Sequence, residues 1–399
     1  MKPLAGKKFV IVVGDGMADY PVEELGGRTP LEVAEKPNMD LLAREGKVGL
    51  IRTIPRGMSK DSAVANLSIL GYDPRKCFTG RGPLEAGSMG VSLGPNDVAF
   101  RCNLVTEREG RLVDYSGGCI TTEEAAELLS ELQKQGFGEF HLGISYRHIF
   151  VLRNARVSEG CSPPHDIVGE PIAKHLIKSR DRISLRLNEF MLASRQILSQ
   201  HPVNQRRLKL GKNPANMIWL WSPGKRPDLE PFEKKYGIKG AIISAVNVIN
   251  GIGVWAGMEI IKVPGATGYY DTNYEGKADY ALKALKANDL VFIHVEAPDE
   301  AGHAGDVERK IKAIEDLDRR LLGRIVRKGR EAAVAVLPDH PTPVTVRTHV
   351  SDPVPFAVFV PGGEGDGLRF TEAEAKRGSL GLVQGPRFMK LFLSLGSAS

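Results

Sequence analysis

Cysteine is scarce in these 399 residues, and the four present, Cys77, Cys102, Cys119 and Cys161, form no C-x-x-C pair. That spacing excludes a zinc ribbon and a thioredoxin-like motif. Isolated cysteines in a large chain suit a reducing compartment rather than a disulfide scaffold. No apolar run approaches the ~20 residues that a helix needs to cross a bilayer. The segment Met1 to Lys8 is too short and too polar to act as a signal peptide. Neither sign of charge dominates, with 54 basic residues against 48 acidic ones, and Lys and Arg are spread along the chain. A nucleic-acid binder would more often gather them on one element. Internal repeats and low-complexity tracts are also lacking. The expectation is a soluble, cytoplasmic protein with no membrane or nucleic-acid partner. Its formal charge of +6 gives a mild attraction for small anionic molecules.

What is present is a repeated alternation of short apolar runs with helical periodicity. The chain is longer than one compact core usually holds, so two domains are expected. Phe9 to Val13 reads as a first strand, Leu290 to Val295 as another and Ala332 to Leu337 as a third. Each ends in a turn carrying polar residues. Between them lie helical stretches such as Ala63 to Leu70, stopped by Gly71. From about residue 76 the rhythm changes to strands and hairpins, including Val98 to Val105 and the turn at Glu109-Gly110. It resumes near residue 210. Met217 to Trp221 and Met258 to Val263 read as further core strands, and Asn250 to Gly253 as a glycine-rich turn. The fold class expected is α/β: a doubly wound core over residues 1–75 and 210–399, interrupted by a smaller α+β domain over 76–209.

Open α/β sheets place their ligands beyond the carboxyl ends of the strands. The strand ends here offer Asp15 between two glycines, Asp299 with His303 in the turn after Val295, and Asp339 with His340. His349 follows shortly after. Ser62 stands at the start of a helix, where a serine is ordinarily an N-cap but where an alkoxide or an arriving phosphate is also favoured. Single Asp or His residues are usually capping or surface groups, and Asp15 alone could merely cap its turn. The set is different, because all its members fall where a parallel sheet aims its ligands. Carboxylates and imidazoles without thiolate suit Mn²⁺, Mg²⁺, Co²⁺ or Zn²⁺. Six such ligands are too many for one tetrahedral ion and fit two ions about 3.5–4 Å apart. Three aspartates and an ionised Ser62 would balance two divalent charges. A serine held as alkoxide could attack phosphorus directly. His294, inside its strand, reads as a packed core residue rather than a ligand.

The stretches VVGDGM around Asp15, KDSAVANLSILGYDP around Ser62, GRGPLEAG, VEAPDEAGHAGD, LPDHPTP and RTHVSDPVPF together resemble the archaeal branch of cofactor-independent phosphoglycerate mutases, within the alkaline phosphatase superfamily. The resemblance runs from about Phe9 to Val360. It implies an alkaline-phosphatase-like core with an inserted lid. Asp15, Ser62, Asp339 and His340 would hold one metal and Asp299, His303 and His349 the other, with Mn²⁺ foremost. Ser62 would be the nucleophile and form a phosphoserine. The reaction implied interconverts 2-phosphoglycerate and 3-phosphoglycerate without 2,3-bisphosphoglycerate. A mutase must keep water from the phosphoenzyme, which gives the insert a purpose. Arg81, Arg101 and Arg147 are its candidate substrate residues, since Arg pairs with carboxylate or phosphate in bidentate fashion. His148, His165 and Asp166, with Asp114, join them. The partner is a small phosphorylated molecule, and assembly into a homo-oligomer stays open. The alternatives are a metal-dependent phosphohydrolase or a mutase of another phosphorylated metabolite, which share the same core. A phosphate- or nucleic-acid-binding protein without catalysis is a third, against which the complete ligand set argues.

Overall fold

A computed structural model describes residues 6–157, 159–329 and 331–398; most of the segment Met1 to Lys8 lies outside them. The chain divides into two compact units, Met1–Phe78 with Asp228–Ser399, and Thr79–Pro227. No helix among the described residues is long and apolar enough to cross a membrane.

The first unit is built on an eight-stranded mixed sheet. Its strands are β1 (Phe9–Gly14), β2 (Lys47–Arg52), β8 (Gly240–Ile243), β9 (Glu259–Ile260), β10 (Leu290–Val295), β11 (Ala333–Pro338), β12 (Val354–Phe359) and β13 (Leu382–Gln384). The second unit holds the five between, β3 (Val98–Arg108), β4 (Arg111–Asp114), β5 (Glu139–Ile144), β6 (Arg147–Leu152) and β7 (Met217–Lys225). The order in the large sheet is β13-β2-β12-β11-β1-β10-β8-β9. Its centre, β10-β1-β11, is parallel. All three central strands are buried throughout, as continuous apolar runs covered on both faces should be. On β1, Val10 and Val12 pack with Met39, Leu42 and Leu317. The alternate residue Phe9 meets Phe392 of the C-terminal helix edge-on, at 5.4 Å between ring centroids. The register brings Gly14 beside Val295 on one side and Pro338 on the other. Three strands therefore end at one level, and the residues that follow them emerge together.

In the second unit β3 is central, pairing antiparallel with β4, β6 and β7. Here the structure departs from the sequence reading. Met217 to Trp221 belongs to β7 and pairs with Val105 to Arg101 of β3 rather than with the core sheet. The return to the first unit falls at Pro227, not near residue 210. A short apolar run carries no information about which sheet it joins, and β3 offers a long apolar partner. Two local expectations also change. Asn250 to Gly253 lies within the helix Asn247–Trp255. Gly253 is there for packing, since a Cβ would come 2.6 Å from Ile260 and 2.7 Å from Ile242. The strand expected over Met258 to Val263 shrinks to two residues.

Candidate active site

Asp15 follows β1, Asp339 and His340 follow β11, and Asp299 and His303 follow β10. The last two stand on the short helix Ala297–Ala304 rather than in a turn. Spaced four residues apart, they share one helix face, and His303 Nε2 is 3.2 Å from Asp299 Oδ2. His349 arrives from the long loop after β11, its Nε2 3.5 Å from Asp299 Oδ1 and 2.9 Å from His303 Nε2. His340 Nε2 is 3.4 Å from Asp15 Oδ1 and 3.6 Å from Asp339 Oδ2. Every residue read from the sequence as a metal ligand thus converges here. Two groups have their ligand atoms within 4.8 Å of one another: Asp15, Asp339 and His340, and Asp299, His340 and His349. His340 belongs to both.

Ser62 is the first residue of the helix Ser62–Ile69, and Asp61 is its N-cap, accepting from Ala63 N–H at 2.7 Å. The capping role expected for a serine in this place is filled by its neighbour. The Ser62 hydroxyl is left to face His340, with Oγ 3.1 Å from Nε2. One turn on, fully buried Asn66 donates to Ser62 O and to Asp339 Oδ2, both at 2.8 Å. Asp339 Oδ1 accepts from Gly16 N–H at 3.1 Å and from His340 N–H at 2.8 Å. Gly16 has φ +60°, and a Cβ would stand 2.4 Å from Asp299 Oδ1 and 2.6 Å from Thr342 Oγ1, so only glycine fits.

The electrostatics are those of a site that wants cations. Burial, reinforced by the negative charges of Asp339, Asp299 and Glu296, pushes the Asp15 carboxyl well above the usual carboxylate range. Its Oδ1 is buried without a hydrogen bond. Burial opposes the charged form of Asp299 too, but the imidazoles of His303 and His349 outweigh it and hold the carboxyl well below its ordinary value. In return Asp299 raises His303 to about 9. Burial lowers His340. His294 is buried on β10 as a core residue, as expected, yet its Nε2 lies 3.3 Å from Asp15 Oδ2. The donor set fits divalent ions in a further respect. His303 Nδ1 faces Arg347 O at 3.1 Å, His349 Nδ1 faces Lys60 O at 3.1 Å, and His340 Nδ1 faces Thr342 Oγ1 at 3.3 Å. With an oxygen beside each Nδ1 to accept its proton, each Nε2 is the nitrogen left to face inward and to give a lone pair to an ion once its own proton is lost, the arrangement metal-binding histidines use.

The second unit carries the remaining candidates. Side chains alternate between the faces of a sheet. Register places Arg101 opposite Trp221 and Asn103 opposite Arg147, on one face. The Arg101 guanidinium lies 4.2 Å over the Trp221 ring, with its Nε 3.1 Å from Glu85 Oε1. Arg81 approaches the same Glu85 oxygen at 3.9 Å. From Trp221 ring contacts run to His165 at 5.6 Å, Tyr115 and Tyr146, over which Arg147 lies at 5.6 Å. Asp166 is exposed beside His165 at 3.6 Å. His148 pairs in register with Cys102 and so points to the opposite face. It is 2% exposed, its Nδ1 accepts from Gly143 N–H, and burial lowers it to about 4. Asp114 is occupied by Ser116, Gly118 and Asn213 in a turn. Sequence reading passed over Asn66, Thr342, Glu85 and Trp221. The one-turn spacing from Ser62 could have found Asn66; the others needed the fold.

Comparison with known proteins shows the family. The family model described as 2,3-bisphosphoglycerate-independent phosphoglycerate mutase matches residues 43–204. The chain is 53% identical over 392 residues, 97% of each chain, to a 2,3-bisphosphoglycerate-independent phosphoglycerate mutase of Methanothermobacter thermautotrophicus. Over 393 residues it is 51% identical to the one from Methanothrix thermoacetophila, covering 97% of this chain and all of that one. Among solved structures, a cofactor-independent phosphoglycerate mutase from Thermoplasma acidophilum aligns with a TM-score of 0.68 at 30% identity, over 98% of this chain and 100% of that one. A Pyrococcus horikoshii protein aligns with a TM-score of 0.82 at 33% identity, over 98% of both chains.

Proposed function

This chain belongs to the 2,3-bisphosphoglycerate-independent phosphoglycerate mutase family, and from that premise we propose how it interconverts 2-phosphoglycerate and 3-phosphoglycerate: the phosphoryl group passes through Ser62. The observation that carries this reading is the freed hydroxyl. Asp61 caps the helix, and Ser62 Oγ faces His340 inside the ligand cluster. Asp15, Ser62, Asp339 and His340 would hold one divalent ion and Asp299, His303 and His349 a second, with Mn²⁺ the first choice for this oxygen and imidazole set. Bound there, such ions would keep a serine ionised at neutral pH and offset the charge of a phosphoryl group.

The chain's own groups account for the rest. Ser62 Oγ, as alkoxide, forms a bond to phosphorus as the bond from phosphorus to the glycerate oxygen breaks and that oxygen takes up a proton, giving phosphoserine and glycerate. The other glycerate hydroxyl then gives up a proton and attacks phosphorus, and Ser62 leaves as alkoxide. Backbone N–H groups at the start of the helix Ser62–Ile69 favour the anionic group at its N-terminus. Residues 79–227 serve as the substrate and lid domain, with the Arg101, Arg147 and Arg81 guanidiniums as ligands for the carboxylate and phosphate of glycerate species. Arg101 is held ready for this by Glu85 and the Trp221 ring, so little side-chain freedom is lost on binding. The test is turnover of 3-phosphoglycerate with Mn²⁺ and no 2,3-bisphosphoglycerate, following 2-phosphoglycerate and free phosphate together. Isomerisation without phosphate is expected. Phosphate release without isomerisation would overturn the retained phosphoserine.

A further inference from the structure

We infer that Thr342 is a positioning residue that fixes the tautomer of His340 and ties together the two ligand groups of the site. This deepens the metal-site reading above and rests on it. Thr342 is fully buried. Its hydroxyl has one proton, and the short contact from Oγ1 to Asp299 Oδ1 uses it, since a carboxylate can only accept. The hydroxyl oxygen is then an acceptor towards His340 Nδ1 at 3.3 Å. The imidazole must carry its proton on Nδ1, which leaves the Nε2 lone pair facing Ser62 Oγ and Asp15. His340 is the residue shared by both ligand groups and Asp299 belongs to one of them. A single relay, His340 Nδ1–H to Thr342 Oγ1–H to Asp299 Oδ1, therefore orients a ligand on each side.

Thr342 is itself held. Lys310 Nζ, fully buried, donates to Thr342 O at 2.8 Å, to Ala18 O at 3.2 Å and to Asp19 Oδ2 at 2.7 Å. That ammonium has all three protons placed and ties the loop after β1 to the loop after β11. For His303 and His349 the acceptor of Nδ1–H is a main-chain carbonyl, which no substitution removes. At His340 alone it is a side chain, so the role can be tested without disturbing the backbone.

The experiment titrates Mn²⁺ into metal-free full-length protein by calorimetry and records the visible spectrum of the Co²⁺-loaded form, for the wild type, Thr342→Val and Thr342→Ser. Valine keeps the shape and removes the hydroxyl. It should weaken Mn²⁺ binding by about 10–100-fold, the range typical of lost outer-shell partners, and shift the Co²⁺ bands. Serine should restore both. Unchanged affinity with an unchanged Co²⁺ spectrum in Thr342→Val would overturn the inference, as would a serine variant as impaired as the valine one. If valine prevents folding, ¹⁵N NMR of the Zn²⁺-loaded wild type decides. His340 protonated on Nδ1 supports the relay, and protonation on Nε2 refutes it. A wild type that takes up no divalent cation would instead refute the metal-site reading itself.

Discussion

Asn66→Ala is the most informative single perturbation, because Asn66 is the only described side chain that hydrogen-bonds both to the Ser62 main chain and to a carboxylate of the ligand cluster. The variant loses two buried bonds of 2.8 Å. The one to the Asp339 carboxylate is charge-assisted and contributes about 1.5–3 kcal/mol, and the one to Ser62 O about 1 kcal/mol. Metal-free protein should therefore lose roughly 2.5–4 kcal/mol, a drop in Tm of roughly 5–16 °C for a unit of this size. With Asp339 short of one donor and the first turn of the Ser62 helix untied, kcat should fall at least about 10-fold at saturating Mn²⁺, consistent with the loss of an outer-shell partner. Asn66→Asp should fall further in both, since it sets a carboxylate against Asp339 where a donor stood. Calorimetry in chelator and a coupled phosphoglycerate mutase assay measure the two effects. A Tm within about 1 °C of wild type together with unchanged kcat would refute the reasoning that this amide joins nucleophile to ligand.

Ser62→Ala should abolish isomerisation while leaving the metal-free fold intact by circular dichroism, because Asp61 and not Ser62 caps the helix; turnover near that of the wild type would exclude the serine route. Arg101→Lys keeps the charge but loses the planar group stacked on Trp221, and should raise KM for phosphoglycerate about 10-fold with a smaller change in kcat. The metal-free site should be sensitive to pH through His303, which Asp299 raises to about 9. A raised imidazole contributes stability that is fully present below its ordinary value near 6.5 and is lost as pH climbs through about 9. Mn²⁺ uptake at pH 7 should therefore release a proton and tighten as pH rises. Calorimetry in buffers of different ionisation enthalpy reads this, and uptake with no proton released would contradict it.

The candidate ligand set was legible because its members sit at motif positions that a parallel sheet brings together. Asp15, Asp299 and Asp339 each follow a largely apolar run, broken only by His294 before Asp299, and hydropathy marks those runs as central strands. The assignment of β7 was not legible, since Met217 to Trp221 is as apolar as a core strand and only the fold shows that it pairs with β3. Arg147 and His148 looked equivalent as neighbours on one strand. Strand alternation sends one to the face of Arg101 and the other to the face of Cys102, and the sequence does not say which face is the charged one. Ser62 could be read as a cap or as a nucleophile, and only the fold shows that the cap is Asp61.

By itself, the sequence determined the chemical inventory: which residue types stand at the strand ends, the absence of thiolates among them, the α/β rhythm and its interruption. Tertiary structure alone decided how those groups meet. It aligned the ends of β10, β1 and β11 at one level, put His340 in both ligand groups, and set Thr342 between His340 and Asp299. The physical reason is range. Strand and helix periodicity are local properties of a few successive residues. Hydrogen bonds between Ser62 and His340, or between Asn66 and Asp339, join positions more than 270 residues apart, and only packing of the sheet and its helices fixes them.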